Sequence, residues 1–260
     1  ALMKNNFLNK IFNLDNKVVV ISGACGQLGK SFCNYFINTG CSVIGVDREI
    51  SQNKINNVDY FNLNVQNGNE VETTLKKIYK KYNKIDIIIN NAGVSTFEPF
   101  EDRSEEKFDW VTGVNIKGPF NIIQKYVKLF DENNQNYGNI INISSIYGII
   151  SPDPRIYGDN DRKNSEIYGA SKAALIQMTK YFGVHLANRN IRCNSISPGG
   201  IFNPKNPQNK DFIKKYSYRC PMERMGEAHE ISGLVLFLSS DASSYINGQN
   251  ITVDGGMSSW

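Results

Sequence analysis

The sequence predicts an α/β fold, a Rossmann-type doubly wound parallel sheet in a single domain. Three observations predict it. Short β-branched runs alternate with longer amphipathic stretches along the whole chain. Parallel strands need crossovers, and those crossovers cover both faces of the sheet, so buried runs without polar alternation belong to such an architecture. A glycine-rich turn also follows the first run directly, and no linker, repeat or low-complexity segment interrupts the order. We read residues 1–16 as an N-terminal extension and residues 17–260 as one domain.

The elements follow in order. Lys17 to Ser22 reads as a buried strand, Gly23 to Gly29 as the turn, and about Gln27 to Asn38 as a helix that Gly40 ends. Cys41 to Asp47 is a second strand, Val58 to Asn64 a third, with a charged helix from Asn69 to Tyr82. Ile85 to Asn90 is the fourth strand. Ser104 caps a helix reaching about Asn115, with Glu105 and Glu106 favourable in its first turn. A separate helix covers about Pro119 to Glu132, proline being tolerated in a first turn. Asn139 to Ser144 is the fifth strand, Glu166 to Asn188 a long helix and Ile191 to Ser197 the sixth strand. A loop rich in proline and asparagine precedes a helix from Glu227 to Leu238, and Gln249 to Val253 closes the sheet.

Bulk properties exclude several function classes. A net charge of +4 over 260 residues, with lysines interspersed among acids, gives no basic stripe for nucleic acid. Five cysteines without a C-x-x-C pair, and two histidines, His185 and His229, offer no metal-ligand spacing, so no metal is expected. No apolar run approaches the ~18 residues of a membrane span, and the first residues lack the apolar core of a signal peptide. A cytoplasmic protein with reduced thiols and no membrane partner is the expectation.

Two constellations carry chemistry. Gly23, Gly26 and Gly29 lie between a strand and a helix, where backbone N–H groups bind pyrophosphate and the absence of side chains permits close approach. Asp47 ends the next strand, 24 positions after Gly23, where an acid accepts hydrogen bonds from an adenosine ribose. The second constellation is Tyr168-Gly169-Ala170-Ser171-Lys172, whose tyrosine and lysine share a helix face. A phenol titrates near ~10, and bringing it to about 7 takes roughly 4 kcal/mol of differential stabilisation. A neighbouring ammonium works in that direction and would fit the phenol for proton exchange with an alcohol or ketone oxygen.

These motifs, in this order and over nearly the whole chain, resemble the short-chain dehydrogenase/reductase family of the compact single-domain type. Ser22 to Gly29 is similar to its cofactor turn, with Gln27, Leu28 and Gly29 at the helix start. Asn90-Asn91-Ala92-Gly93 matches its NNAG motif, Asn115 its helix asparagine, Ser145 its serine, and Tyr168 with Lys172 its YxxxK. Ser197-Pro198-Gly199-Gly200 resembles its proline-glycine turn, and Arg224 to Gly256 its C-terminal signature. Three departures stand out. Gln27 replaces the middle glycine, Asn64 replaces an acid after the third strand, and the serine and tyrosine lie 23 positions apart, farther than is usual in the family.

The resemblance implies an NAD-dependent oxidoreductase interconverting a secondary alcohol and a ketone, with NADP the lesser choice because Asp47 repels a 2′-phosphate, an effect that Arg48 partly offsets. It implies catalytic roles for Asn115, Ser145 (Ser144 being the neighbouring alternative), Tyr168 and Lys172. Cofactor contacts would come from Gly23, Gln27, Leu28, Gly29, Asp47, Arg48, Asn64, Val65, Asn91, Ala92, Gly93, Tyr168, Lys172, Pro198, Gly199 and Ile201. The rivals are a 3-oxoacyl carrier-protein reductase and a catalytically silent dinucleotide-sensing or scaffold protein. Family members pair their long helices across subunits, and Ala170, Ala173 and Ala174 suit close helix approach, so a homodimer or homotetramer is expected.

The segment between Ser145 and Tyr168 resembles an insertion in oxidoreductases of bacterial surface-sugar modification, which points to a sugar or sugar-derivative substrate. A structureless loop of this length is usually functional or disordered, and both ends of this one adjoin proposed catalytic residues. We expect it to fold over the substrate, with Ser145, Tyr147, Tyr157 and Tyr168 in contact and Arg155 receiving a phosphate or carboxylate bidentately.

Overall fold

The structure is a computed structural model and describes residues 2–50, 54–157 and 163–260. Helix α1 (Leu2–Ile11) comes first, followed by β1 (Val18–Ser22), α2 (Gln27–Phe36), β2 (Ser42–Asp47) and β3 (Val58–Asn62). Then come α3 (Gly68–Tyr82), β4 (Ile87–Asn90), α4 (Glu105–Thr112), α5 (Gly118–Glu132), β5 (Gly138–Ile143) and α6 (Glu166–His185). The chain finishes with β6 (Ile191–Pro198), α7 (Lys210–Arg219), α8 (Ala228–Ser239) and β7 (Asn250–Val253). All seven strands form one sheet in the order β3-β2-β1-β4-β5-β6-β7, each neighbour parallel. The order reverses between β1 and β4, and open parallel sheets bind ligands at the carboxyl ends of the strands beside such a reversal.

Strand alternation sorts the core onto two faces. Val18 and Val20 join Ile44, Val46, Ile88 and Ile140 on one face, covered by Leu75 and Ile78 of α3 and Ile122 and Ile123 of α5. Val19 and Ile21 join Ile87, Ile89, Ile141 and Ile196 on the other, covered by Phe32 and Phe36 of α2 and Ile231, Val235 and Leu238 of α8. Each such side chain contributes about 1.5–3 kcal/mol by leaving water. Leu14 belongs to the second core, so the segment ahead of β1 is packed onto the domain at that point.

Helix ends follow local signals. Asn67 caps α3 by accepting from Asn69 and Glu70 N–H, Ser104 caps α4, and Ser165 caps α6 by accepting from Tyr168 N–H. Glu227 and Glu230 form a capping box at α8.

Several boundaries differ from expectation. The two helices expected to separate near residue 116 run as one body, because a π-helical turn at Gly113–Lys117 joins α4 to α5. The loop expected between β6 and α8 contains α7, which buries Tyr216 and is capped by Asn209. The insertion also has structure, with single 3-10 turns at Ile146–Gly148 and Pro154–Tyr157. Ile156 and Tyr157 pack with Tyr216, Cys220 and Met225 in a third, smaller cluster. Gly158 and the run from Asp159 to Arg162 lie outside the described residues.

Candidate active site

A cleft of about 720 Å³ opens at the carboxyl ends of β1, β2 and β4. The glycine turn forms its floor. Gly23 has φ +65, a left-handed conformation that only glycine adopts at no cost, and a Cβ there would stand 2.8 Å from Ala92 Cα. A Cβ on Gly29 would stand 2.1 Å from the Gly23 carbonyl oxygen. These glycines let the turn fold tightly onto α2 and let the β4 turn lie against it. Helix α2 starts without a side-chain cap, since Gly26 stands at the cap position. Its first N–H groups therefore carry the helix's positive end unshielded beside the cleft, where Gly26, Gln27 and Leu28 form part of the lining.

Asp47 closes one side. Its Oδ2 accepts from Cys25 N–H at 2.9 Å, which fixes the carboxylate against the turn. Arg48 is largely exposed and pairs with Glu49 at 3.4 Å. Asn64 and Val65 line the same wall, and Asn64 Oδ1 accepts from Gln66 N–H at 3.1 Å. Asn91, Ala92 and Gly93 form the rim below β4. Asn91 Nδ2 donates to the carbonyls of Ser22 at 3.0 Å and Gly23 at 3.1 Å. Pro198, Gly199 and Ile201 bound the far end. The polar geometry fits a dinucleotide: helix N–H donors suit a pyrophosphate, a strand-end carboxylate suits ribose hydroxyls, and the Gly93 backbone leaves the Lys172 ammonium open, a Cβ there lying 3.2 Å from Nζ.

The catalytic candidates meet deeper in. Asn115 sits in the π turn, a feature common at functional sites, and is 1 % exposed. Its Oδ1 accepts from Val94 N–H at 2.9 Å, and its Nδ2 donates to Val94 O and Ser171 Oγ, each at 2.9 Å. The carboxamide thus ties the loop after β4 to α6. Ser144 Oγ donates to the Lys172 carbonyl at 2.8 Å and is occupied there. Ser145 begins the 3-10 turn and accepts from Tyr147 N–H at 3.2 Å, with its hydroxyl beside the Tyr168 phenol. Both serines line the first cavity, and only Ser145 also lines the second, where it meets Tyr168.

Lys172 is buried, and Nζ donates to Ile143 O at 2.9 Å and stands 5.6 Å from the Tyr168 ring centre. Burial pushes its pKa down to about 8. Burial also raises the Tyr168 phenol, with Ser145 pulling in the opposite direction. The expected lowering of the phenol is thus not the direction found. The desolvation of the phenol outweighs its partners, and Lys172 is turned to the Ile143 carbonyl.

A second cavity, of about 450 Å³, adjoins the first through Ser145 and Tyr168. Tyr147 and Tyr157 line it, their hydroxyls 3.1 Å apart. Arg155 is placed elsewhere. Its side chain is 84 % exposed and paired with Asp153 at 2.7 Å, and it lines neither cavity. The expected anion contact is therefore not formed: the carboxylate two residues earlier captures the guanidinium. The insertion packs sideways onto α7, with Tyr157 and Phe212 ring centres 5.4 Å apart.

Sequence reasoning missed part of the lining. Ser95, Phe97, Trp110 and Asn164 face the first cavity, and Asn203, Asn206, Gln208 and Asn209 face the second. An asparagine-rich loop between a strand end and a helix was the one available signal. Ser22, the strand end at which the glycine turn begins, has a role the sequence does not announce: its Oγ accepts from Asn91 N–H at 3.0 Å and Ala92 N–H at 3.1 Å.

Fold and site define a nicotinamide-dependent oxidoreductase of the Rossmann class, and comparison with known proteins narrows the class. A family model described as enoyl-(acyl carrier protein) reductase matches residues 23–258. The 3-oxoacyl-(acyl-carrier-protein) reductase FabG of Thermotoga maritima is 36 % identical over 256 residues, covering 94 % of this chain and 98 % of that protein. The 7alpha-hydroxysteroid dehydrogenase of Bacteroides fragilis is 31 % identical, covering 94 % and 95 %. A short-chain dehydrogenase from Leptospira borgpetersenii, solved with bound NAD+, superposes with a TM-score of 0.87 at 37 % identity, covering 94 % of each chain. The chain belongs to the short-chain dehydrogenase/reductase family. It is an NAD(P)-dependent oxidoreductase that interconverts alcohols and ketones. Among the described residues no helix is long and apolar enough to cross a membrane.

Proposed function

We propose that Tyr168 exchanges the proton with the substrate oxygen, Ser145 hydrogen-bonds that oxygen, and Lys172 and Asn115 organise the site, in a reaction between a secondary alcohol and a ketone that uses NAD. The observation that carries this reading is that Ser145 and Tyr168 stand at the junction of the two cavities, with Lys172 beside them in the lining of the first. One cavity holds the polar features a dinucleotide needs, and the other is free for a small substrate. When bound, the nicotinamide supplies or accepts the hydride.

The chain's own groups do the rest. Burial keeps the Tyr168 phenol protonated, the form that delivers a proton to a carbonyl oxygen as negative charge develops there. Ser145 lies beside the phenol and supports the same charge. Lys172, held under the rim by Ile143 O, would contact the nicotinamide ribose and return protons to the phenol. Gly23, Gln27, Leu28, Asp47, Arg48, Asn64, Val65, Asn91, Ala92, Gly93, Pro198, Gly199 and Ile201 line the first cavity, which supports giving it to the cofactor. Gly29 does not line it and acts behind the turn, where its missing side chain leaves room for the Gly23 carbonyl. NAD over NADP rests on Asp47, whose carboxylate repels a 2′-phosphate, and on the bound NAD+ of the Leptospira relative.

Tyr168→Phe keeps the ring and removes the transferable proton. It should lower kcat at least a hundredfold, about 3 kcal/mol or more in the barrier, while NADH binding stays within a factor of about three. Near-normal turnover would refute the assignment.

A second reading, reduction of an acyl-carrier-protein thioester, is favoured by the 36 % identity to the Thermotoga reductase. Asp47 speaks against it, because such reductases usually use NADPH. We further propose a cytoplasmic homodimer or homotetramer in which residues 17–260 act as one domain. Tyr181 and Val184 on α6 and Phe120 on α5 are exposed apolar groups that support assembly through those helices.

A further inference from the structure

We infer that the substrate is an uncharged, hydroxyl-rich small molecule, and that a phosphate or carboxylate on it is selected against. The inference rests on the oxidoreductase reading and concerns the second cavity. Among the described residues, no Lys, Arg, Asp or Glu lines that space. The two arginines on the elements that build its outer wall are held outside it. Arg155 and Arg219 both turn to Asp153, at 2.7 Å and 3.5 Å. Lys172, on the cofactor side, is engaged by the Ile143 carbonyl.

The lining offers amides instead. Asn164 Oδ1 accepts from Ser95 Oγ at 3.0 Å, Asn203 Oδ1 from Lys205 N–H at 3.1 Å, and Asn209 Oδ1 from Asp211 N–H at 2.8 Å. The backbone donors at Asn203 and Asn209 decide which end of each amide is oxygen. The NH2 groups of Asn203 and Asn209 are then left without a protein acceptor among the described residues. Gln27 is fixed the opposite way. Its Nε2 donates to Phe202 O at 2.6 Å, leaving Oε1 as an acceptor. The phenols of Tyr147 and Tyr168 add groups that both donate and accept.

This mixture matches hydroxyl groups, which also donate and accept at one atom. It does not match an anion. A phosphate or carboxylate entering a partly closed cavity loses water, and amide donors without a cation return only part of that cost. The cavity's volume is also that of a site for one small molecule.

The test uses the purified full chain with NAD and NADH, after nicotinamide binding has been confirmed by fluorescence. Matched sets are assayed at the nicotinamide absorbance: neutral polyols and monosaccharides with their keto forms, the corresponding phosphate esters and sugar acids, and acyl thioesters. At least one neutral compound should exceed its charged counterpart tenfold or more in kcat/KM. Equal rates, or a preference for the phosphate, the acid or the thioester, would overturn the inference and leave the oxidoreductase reading standing. Turnover of none of these and of no simple ketone, with NADH bound, would sink both. Asn206→Arg places a cation in the wall, and should raise kcat/KM for the phosphate ester at least tenfold with NADH affinity unchanged. Absence of that gain also counts against the inference.

Discussion

Arg103→Met is the most informative perturbation away from the reacting groups. The Arg103 side chain is only 5 % exposed. Its Nε and NH2 donate to Glu166 Oε1 at 2.8 Å and Oε2 at 2.9 Å, a two-point clamp. Its NH1 donates to Glu98 Oε1 and Thr96 Oγ1, and its NH2 also reaches Glu98 O at 3.3 Å. Glu166 opens the helix turn that carries Tyr168, and Thr96 and Glu98 flank Phe97, which lines both cavities. One guanidinium therefore ties the cavity rim to the helix of the proposed acid. Methionine retains the aliphatic packing and loses every polar contact. Removing one partner from a fully buried pair costs about 3–5 kcal/mol, and the half-exposed Glu166 reduces this by solvent screening, leaving about 3 kcal/mol. For a chain of this size, that lowers Tm by roughly 6–12 °C. The Arg103 hydrogen bond, helped by its charge, holds the Glu166 carboxyl below its usual range, so that part of the stability is present above the unfolded value and disappears as pH falls through the folded one. The gap between the variants should narrow below about pH 4. Thermal melts over pH and steady-state kinetics test this: kcat should fall while NADH affinity holds, because Arg103 does not line the cofactor cavity. A Tm within about 2 °C of the parent, together with unchanged kcat, would refute the reasoning.

Three further outcomes are expected. Lys172→Met should raise thermal stability at pH 7, because a buried ammonium is disfavoured. With a folded pKa of about 8, the unfolded chain binds the extra proton between about 8 and 10.5, so the wild type recovers stability over that window. The difference, about 3 kcal/mol near neutrality, should shrink towards pH 10, and a constant gap in paired melts would contradict it. Gly29→Ala brings a Cβ within 2.1 Å of the Gly23 carbonyl oxygen, and calorimetry should show NADH affinity falling at least tenfold. Calorimetry with both cofactors should give tighter binding of NAD than of NADP, and Asp47→Asn should reduce that preference. Unchanged selectivity would assign it elsewhere.

Much of the sheet was legible because buried parallel strands leave unbroken β-branched runs, as Val18–Ser22 and Ile87–Asn90 do. The glycine turn and the tyrosine–lysine pair were legible because their chemistry dictates fixed spacing. The sites of failure have physical causes. Helix α7 is mostly polar and buries little beyond Tyr216, so its apolar signal was too weak to separate it from a loop. The π turn at Gly113–Lys117 is bracketed by Gly113 and the Gly118-Pro119 pair, which in the sequence read as a break between two helices and in the structure only mark the wider turn that joins them. Arg155 looked available in the sequence because pairing with Asp153 depends on a 3-10 turn that no periodicity reveals. The phenol was expected to follow its nearest cation, whereas burial sets its direction.

The Ser22 hydroxyl has a consequence for how ligands enter. It accepts from two N–H groups of the β4 turn and donates to Ile89 O at 3.3 Å, while Asn91 returns two hydrogen bonds to the glycine turn. The strand ends on either side of the sheet's reversal are thus welded together by protein groups alone. The loss of freedom needed to align them falls on folding, and little of the binding energy goes into assembling that part of the cleft. Association there is docking onto a finished surface.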